Sequence, residues 1–173
     1  FDLFKVGVGP SSSHTVGPMC AANRFLSLLE SNGFTHRVAR LRISLYGSLA
    51  MTGKGHATDI ATLVGLLGER PDSVDPDQIP LSIASIRETK VLNLNGQHAI
   101  RFNQASDLLF LFGESLPQHP NGMRFDVFDD AGMQFFSRIY FSVGGGFVLC
   151  EDEIQQTGGA ATIEIPYPFE SGA

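Results

Sequence analysis

The sequence predicts an α+β domain with a single mixed or antiparallel sheet and helices packed on one face of it. Two helical stripes of apolar residues come early in the chain, and a strictly alternating segment separates them. Short β-type segments joined by turn signals then fill the second half. A length of 173 residues is enough for one domain with a core of its own.

Apolar periodicity predicts the elements of the first half. Residues 40–46 alternate between polar and apolar types, which predicts a strand with one buried face. Two sets of apolar residues recur at helical spacing on either side of this strand. The first set is Met19, Ala22, Leu26 and Leu29, and the second is Ile60, Leu63, Val64 and Leu67. Asn32-Gly33 is typical of the end of a helix.

Turn signals divide the second half of the chain. A polar, proline-rich loop over residues 71–80 precedes a short helix through Ile86. Asn95-Gly96 is a strong hairpin signal. The apolar run 107–112 is either a buried strand or a helix, because periodicity does not separate the two. Strands are predicted at residues 91–95, 97–102, 125–128, 133–141 and 147–150.

Charge and composition exclude several classes of function. The net charge is 12 − 18 = −6 and no Lys/Arg run is present, so we expect neither nucleic acid nor a membrane as a partner. No signal peptide is visible, and the cytoplasm is the expected location. Cys20 and Cys150 lack metal-binding spacing and fit buried apolar positions. A low charged fraction and 14 phenylalanines suggest that another domain or subunit covers part of the surface.

The first polar motif comes at the start of the chain. Two Gly-Pro pairs enclose hydroxyl side chains and an imidazole directly before the first helical stripe. The enclosed residues are Ser11, Ser12, Ser13, His14 and Thr15. One interpretation is an ordinary N-cap. The other is a binding site for an anion or a carboxylate, because free backbone N–H groups gather at a helix N-terminus.

Two further polar junctions follow. Lys54 and His56 lie in a glycine-rich segment before the second helical stripe, and Asn121 lies in a Pro-Asn-Gly turn. Each of them also fits a structural role, as a surface lysine, a helix-start histidine and a turn residue. The P-loop spacing is absent, and no Gly-x-Ser-x-Gly elbow supports a Ser-His hydrolase. If the junctions converge, they form a site for a small polar acid, with a His or Lys able to move a proton.

Four motifs in order carry a family resemblance. They are 9–15 with Gly17-Pro18-Met19, 46–50 with 52–56 and Thr58-Asp59, 119–123, and Tyr140 with 142–147. Together they resemble the β domain, or β subunit, of the bacterial iron–sulfur L-serine dehydratases, from about Lys5 to Cys150. Tyr140-Phe141 departs from the family pattern, in which two tyrosines are common.

The resemblance implies conversion of L-serine to pyruvate and ammonia by an enzyme that uses a [4Fe-4S] cluster. In that family the cysteines that hold the cluster lie in a separate catalytic domain or α subunit, which would be the partner of this chain. Residues 1–168 then form the β domain, and residues 169–173 begin a linker. The fragment alone is expected to bind no cluster and to be inactive. The fold would resemble the allosteric substrate-binding domain of D-3-phosphoglycerate dehydrogenase, and a homodimer is expected.

The resemblance also suggests residue roles. His14, Lys54 and His56 are the acid/base candidates, with His56 first as the base. The expected substrate contacts are Ser11, Ser12, Ser13, Thr15, Asn121 and Gly122. The alternative is a purely regulatory module that binds serine or an anion and dimerises, with all the chemistry elsewhere.

Overall fold

The computed structural model describes residues 13–53 and 57–156 and contains two β-sheets. The strands are β1 (Arg40–Tyr46), β2 (Val91–Leu94), β3 (His98–Arg101), β4 (Leu108–Leu111), β5 (Gly122–Phe128), β6 (Gln134–Gly144) and β7 (Phe147–Cys150). The helices are α1 (Val16–Ser31), α2 (Gly47–Gly53), α3 (Thr58–Leu66), α4 (Ile79–Thr89), α5 (Gln104–Asp107) and α6 (Glu151–Gln156). Short 3₁₀ turns occur at Thr35–Arg37 and Pro76–Gln78.

The main sheet has five strands in the order β4-β1-β5-β6-β7. Strand β1 pairs in parallel with β4 and antiparallel with β5, and β5, β6 and β7 follow as an antiparallel meander. The predicted α+β class with a mixed main sheet is therefore confirmed. The Asn95-Gly96 hairpin forms as predicted, but β2 and β3 make a two-stranded sheet of their own.

Helix α1 covers one face of the main sheet. The register pairs Phe125 with Arg138, so these two side chains share a face. The Phe25 ring of α1 stacks on Phe125 of that face, with ring centroids 4.8 Å apart. On the opposite face the buried carboxylate of Asp126 accepts hydrogen bonds from Arg124 (3.1 Å) and Ser137 (2.8 Å). The hydrophobic core lies on the α1 side of the sheet and continues into α3, α4 and the β2–β3 hairpin.

Two segments differ from simple periodicity. Strand β1 is buried on both faces from Ile43 to Tyr46, whereas its alternation predicted one buried face. Helix α2 follows the strand directly and packs against β1, β4 and β5, which encloses this end of the sheet. The run 107–112, left open between strand and helix, forms β4 after Asp107 ends α5. In the part of the chain that the structure describes, no helix has the length and apolar character needed to cross a bilayer.

Close packing between α1 and α3 depends on a glycine. A Cβ atom added to Gly65 would lie 2.7 Å from the carbonyl oxygen of Met19 and 2.8 Å from the Cβ of Ala22. The Asn23 side-chain amide also donates to the carbonyl oxygens of Gly65 (3.0 Å) and Glu69 (2.9 Å). The helices therefore meet backbone against backbone, with no space for a side chain.

We expect Gly65→Ala to lower the free energy of unfolding by about 1–3 kcal/mol, because the added methyl group overpacks the interface. Alanine at an exposed helical position has the opposite effect, a gain of about 1 kcal/mol over glycine. Urea denaturation measures the change. Ser27→Ala, on the exposed face of α1, serves as control and should change stability by less than about 0.5 kcal/mol. A Gly65→Ala variant as stable as the parent would contradict the prediction.

Candidate functional site

Polar residues from four distant segments meet at one end of the main sheet. They come from the start of α1, the β1–α2 junction, the start of β5 and the end of β6. The contacts join residues that are 34 and 129 positions apart in sequence. The first and third polar motifs, whose convergence the sequence left open, therefore lie together in the structure.

The His14 imidazole is held on both sides by hydroxyl groups. Its Nδ1 lies 2.9 Å from the Oγ of Ser13, and its Nε2 lies 3.0 Å from the Oγ of Ser48. The His14 backbone carbonyl accepts a hydrogen bond of 2.6 Å from the buried hydroxyl of Thr58 at the start of α3. A hydroxyl can donate or accept, so both contacts remain favourable in either tautomer of the ring. The half-buried imidazole is thus held in position whichever of its two nitrogens carries the proton.

Asn121 presents a buried acceptor that no described residue satisfies. Its side-chain Nδ2 donates to the carbonyl oxygen of Ser142 (3.1 Å), and the Ser142 N–H donates to the Asn121 carbonyl (3.0 Å). The first bond fixes the side-chain orientation, since the opposite orientation would put two oxygens together. Within residues 13–53 and 57–156, the buried Asn121 Oδ1 has no hydrogen-bond partner. Such an atom costs about 1–3 kcal/mol, and a ligand N–H would satisfy it.

Short contacts connect His14 to Asn121 by two routes. The Ser142 hydroxyl donates to the carbonyl oxygen of Ser13, at 2.7 Å, on the β6 side. On the α2 side, the Ser48 N–H donates to the carbonyl oxygen of Pro120, at 2.9 Å. Because Ser13 precedes His14 and Pro120 precedes Asn121, these bonds close a ring of contacts. The imidazole and the unpaired amide oxygen are therefore held in one rigid frame.

His119 completes the loop before β5. Its Nδ1 accepts a hydrogen bond of 3.0 Å from the N–H of Asn121, so the ring proton of the neutral imidazole lies on Nε2. Burial lowers the pKa of His119. Protonation of the His119 imidazole is therefore less favourable in the folded protein than in the unfolded chain. The resulting contribution to stability is present above the ordinary histidine pKa and is lost as the pH falls through the lowered value.

Gly47 allows the close approach between the β1–α2 junction and the loop before β5. Its φ of +53° belongs to the left-handed region, and a Cβ atom there would overlap the carbonyl oxygen of Pro120. The Gly47 N–H donates to the carbonyl oxygen of Glu114 at 2.7 Å. The turn at Gly47 thus places Ser48 beside both Pro120 and His14.

The predicted site residues have different positions relative to the ring of contacts. Ser13, His14 and Asn121 lie within the ring of contacts, whereas Ser11, Ser12, Lys54 and His56 are outside the described residues. Thr15 is buried at the N-cap position of α1, but its side chain makes no capping hydrogen bond, so the ordinary N-cap interpretation does not apply to it. Gly122 packs beneath the Leu116 and Phe141 side chains, where a Cβ atom would come within 2.9 Å and 3.2 Å.

Sequence reasoning did not select Ser48, Ser142, Thr58 or His119 as site residues. A signal was present for the serines, because Ser48 follows Gly47 directly and Ser142 precedes a run of glycines by two residues. Small hydroxyl residues next to glycines often mark positions where the backbone comes close to another group. For Thr58, no pattern in the sequence indicated contact with the backbone of His14.

The chain's thiols do not fit an iron–sulfur cluster. Such clusters are held by cysteine thiolates, usually four of them, and the sequence has two cysteines. Cys20 is half-buried on α1, where burial raises the pKa of its thiol, and Cys150 is buried at the end of β7. Among the residues that the structure describes, no group of three or more His, Cys, Asp or Glu side chains could hold a metal ion. The two cysteines of this chain are therefore too few to hold such a cluster by themselves.

Comparison with known proteins gives a consistent family. The family model for the serine dehydratase beta chain matches residues 1–153. L-serine dehydratase 1 of Escherichia coli is 44% identical over 99% of this chain and 37% of its own length. The L-serine dehydratase of Streptomyces coelicolor is 41% identical over 99% of the chain and 38% of its own length. The L-serine dehydratase of Helicobacter pylori strain J99 is 42% identical over 98% of the chain and 37% of its own length. The chain thus spans somewhat over a third of the length of these relatives.

Proposed function

The chain belongs to the serine dehydratase beta chain family, and from this premise we propose that it supplies part of the active site of an L-serine dehydratase. The proposed reaction converts L-serine to pyruvate and ammonia. The observation that carries the proposal is the ring of contacts that joins His14 to the unpaired Oδ1 of Asn121. It combines an imidazole, the side chain used most often as a general acid or base, with an acceptor suited to a substrate ammonium.

The elimination step requires two proton transfers, removal of the α-proton and protonation of the departing hydroxyl. L-serine loses its α-proton and its β-hydroxyl, the latter as water, which gives aminoacrylate. Aminoacrylate tautomerises to an imine, and water then hydrolyses it to pyruvate and ammonia. No net oxidation occurs. His14 is one candidate to receive or return a proton, and Ser13 and Ser48 keep its ring in place throughout. His56 and Lys54 remain the other candidates from the sequence, with His56 as the first choice for the base.

Substrate orientation is assigned to the amide and hydroxyl groups. The Asn121 Oδ1 would accept a hydrogen bond from the substrate ammonium, a donor that matches its missing partner. Ser11, Ser12, Ser13 and Thr15 remain proposed contacts for the substrate carboxylate or hydroxyl, and Gly122 remains a proposed binding residue. A carboxylate is suited to the positive end of α1 and to small hydroxyls around it.

The remainder of the enzyme is proposed to hold the [4Fe-4S] cluster. The two cysteines of this chain are too few for it, and the relatives are much longer than the matched region. The cluster would act as a Lewis acid on the substrate hydroxyl. This chain would then contribute one wall of an active site shared with a catalytic domain or α subunit.

Asn121→Ala tests the assignment in the full-length protein. A hydrogen bond to a charged group contributes about 1.5–3 kcal/mol, so we expect kcat/KM for L-serine to fall about 10- to 100-fold, mainly through KM. Asn93→Ala is the matched control, because Asn93 is an exposed asparagine on β2. Its kcat/KM should remain within twofold of the parent. Circular dichroism checks that both variants are folded.

The same experiment separates the catalytic proposal from a purely regulatory module. The catalytic assignment predicts a higher KM with the shape of the serine dependence unchanged, whereas a regulatory site would change that shape from sigmoidal to hyperbolic or the reverse. An unchanged kcat/KM with an unchanged curve would remove Asn121 from the site altogether.

A further inference from the structure

A second polar cluster lies on the outer face of α1 and shares no lining residue with the ring of contacts around His14. An open groove of about 760 Å³ runs along this face, between the β6–β7 meander and the loop after α3. Its charged lining residues are Arg24, Arg70, Arg138 and Asp72, and Tyr140 forms part of the wall. Three arginines and one aspartate give the lining a formal charge of 3 − 1 = +2, on a chain whose net charge is −6.

The arginines differ in what they already bind. Arg24 donates to both carboxylate oxygens of Glu153, at 3.0 and 3.1 Å, and to the carbonyl oxygen of Val148 at 2.9 Å. Its guanidinium also lies over the Tyr140 ring, 5.4 Å from the ring centroid. Arg24 is therefore satisfied within the chain and fixes the wall of the groove.

Arg138 has no comparable partner among the residues that the structure describes. Its Nε is buried without a hydrogen-bond partner, and the described part of the chain offers it no ion pair. Arg138 and Tyr140 are two residues apart on β6, so their side chains project from the same face of the sheet, toward α1. A guanidinium with no ion-pair partner among the described residues thus lines the groove together with a phenol, and both groups are hydrogen-bond donors.

We propose that this groove binds a small organic acid, whose carboxylate or phosphate group pairs with the Arg138 guanidinium and accepts a hydrogen bond from the Tyr140 hydroxyl. Guanidinium groups recognise both kinds of oxyanion through paired N–H donors. Burial raises the pKa of Tyr140 to about 12, so the phenol keeps its proton and remains a donor at neutral pH. Arg70, on the other side of the groove, adds positive charge that favours an anion.

Isothermal titration calorimetry of the full-length protein tests the site with two probes, inorganic phosphate and succinate. We expect saturable binding of at least one probe, and the probe that binds distinguishes phosphate from carboxylate ligands. Arg138→Gln should weaken the binding at least tenfold, while Arg138→Lys, which keeps the charge, should weaken it less. Arg101→Gln, an exposed arginine on β3, is the matched control and should bind like the parent.

A second set of variants separates this groove from the His14 site. Asn121→Ala should leave the binding of the probe unchanged, since Asn121 does not line the groove. Binding that is lost in Asn121→Ala but kept in Arg138→Gln would place the anion at the His14 site and overturn the proposal. The absence of saturable binding with both probes would also overturn it. The readout is heat of binding, so the result does not depend on whether the protein turns over L-serine.

Discussion

We expect His14→Ala to lower the turnover of L-serine by the full-length protein about 10²- to 10⁴-fold, the usual contribution of a positioned general acid or base. The reason is the position of the ring, which has a hydroxyl group at each nitrogen and a backbone carbonyl tied to α3. Steady-state kinetics at saturating serine measures the change. The loss should appear in kcat, because the proton is transferred in the transition state and not on binding.

A glutamine at the same position separates chemistry from packing. His14→Gln can still form a hydrogen bond with the Ser48 hydroxyl, but it does not titrate near neutral pH. We therefore expect it to be as inactive as His14→Ala and as stable as the parent. Ser48→Ala keeps the imidazole and removes only its hydrogen bond to the Ser48 hydroxyl, so we expect a smaller loss of turnover than in His14→Ala. Activity restored by glutamine would show that His14 acts only through packing and would leave His56 and Lys54 as the candidates for proton transfer.

Much of the fold follows from periodicity, and the exceptions have physical reasons. The α1 stripe, the alternation of β1 and the Asn95-Gly96 turn are local signals, and each element formed where it was predicted. Helix α2 was not predicted, because its seven residues, Gly47–Gly53, are too few to show a helical stripe. Its position depends on packing against β1, β4 and β5, which are contacts between segments distant in sequence.

Several residues of the site were predictable from the sequence, but the hydrogen bonds that join them were not. Ser13, His14 and Asn121 stand in segments rich in Gly and Pro, and such segments form turns that carry polar side chains. The bonds from Ser48 to His14 and from Ser142 to Ser13 depend on the strand order β1-β5-β6, which no local pattern encodes. The unpaired oxygen of Asn121 is likewise a property of the assembled frame.

A second large effect is expected at the turn that brings this frame together. We expect Gly47→Ala to lower the free energy of unfolding by about 2–5 kcal/mol. A left-handed backbone costs about 1–2 kcal/mol for an L-residue. The overlap of the new Cβ with the Pro120 carbonyl adds about 1–3 kcal/mol, since the obstacle is backbone and cannot rotate away. Urea denaturation measures the loss, which is a large share of a typical domain stability of about 5–15 kcal/mol.

Gly33→Ala is the matched control for this effect. Gly33 also has a positive φ, of +70°, but a Cβ atom there meets nothing within 4 Å. It should therefore show only the backbone cost of about 1–2 kcal/mol and full activity. Gly47→Ala should in addition lose turnover, because moving Pro120 away shifts Ser48 from His14 and Asn121 from Ser142. If both variants lost equal stability and both stayed active, the contact between Gly47 and Pro120 would have no part in assembling the site.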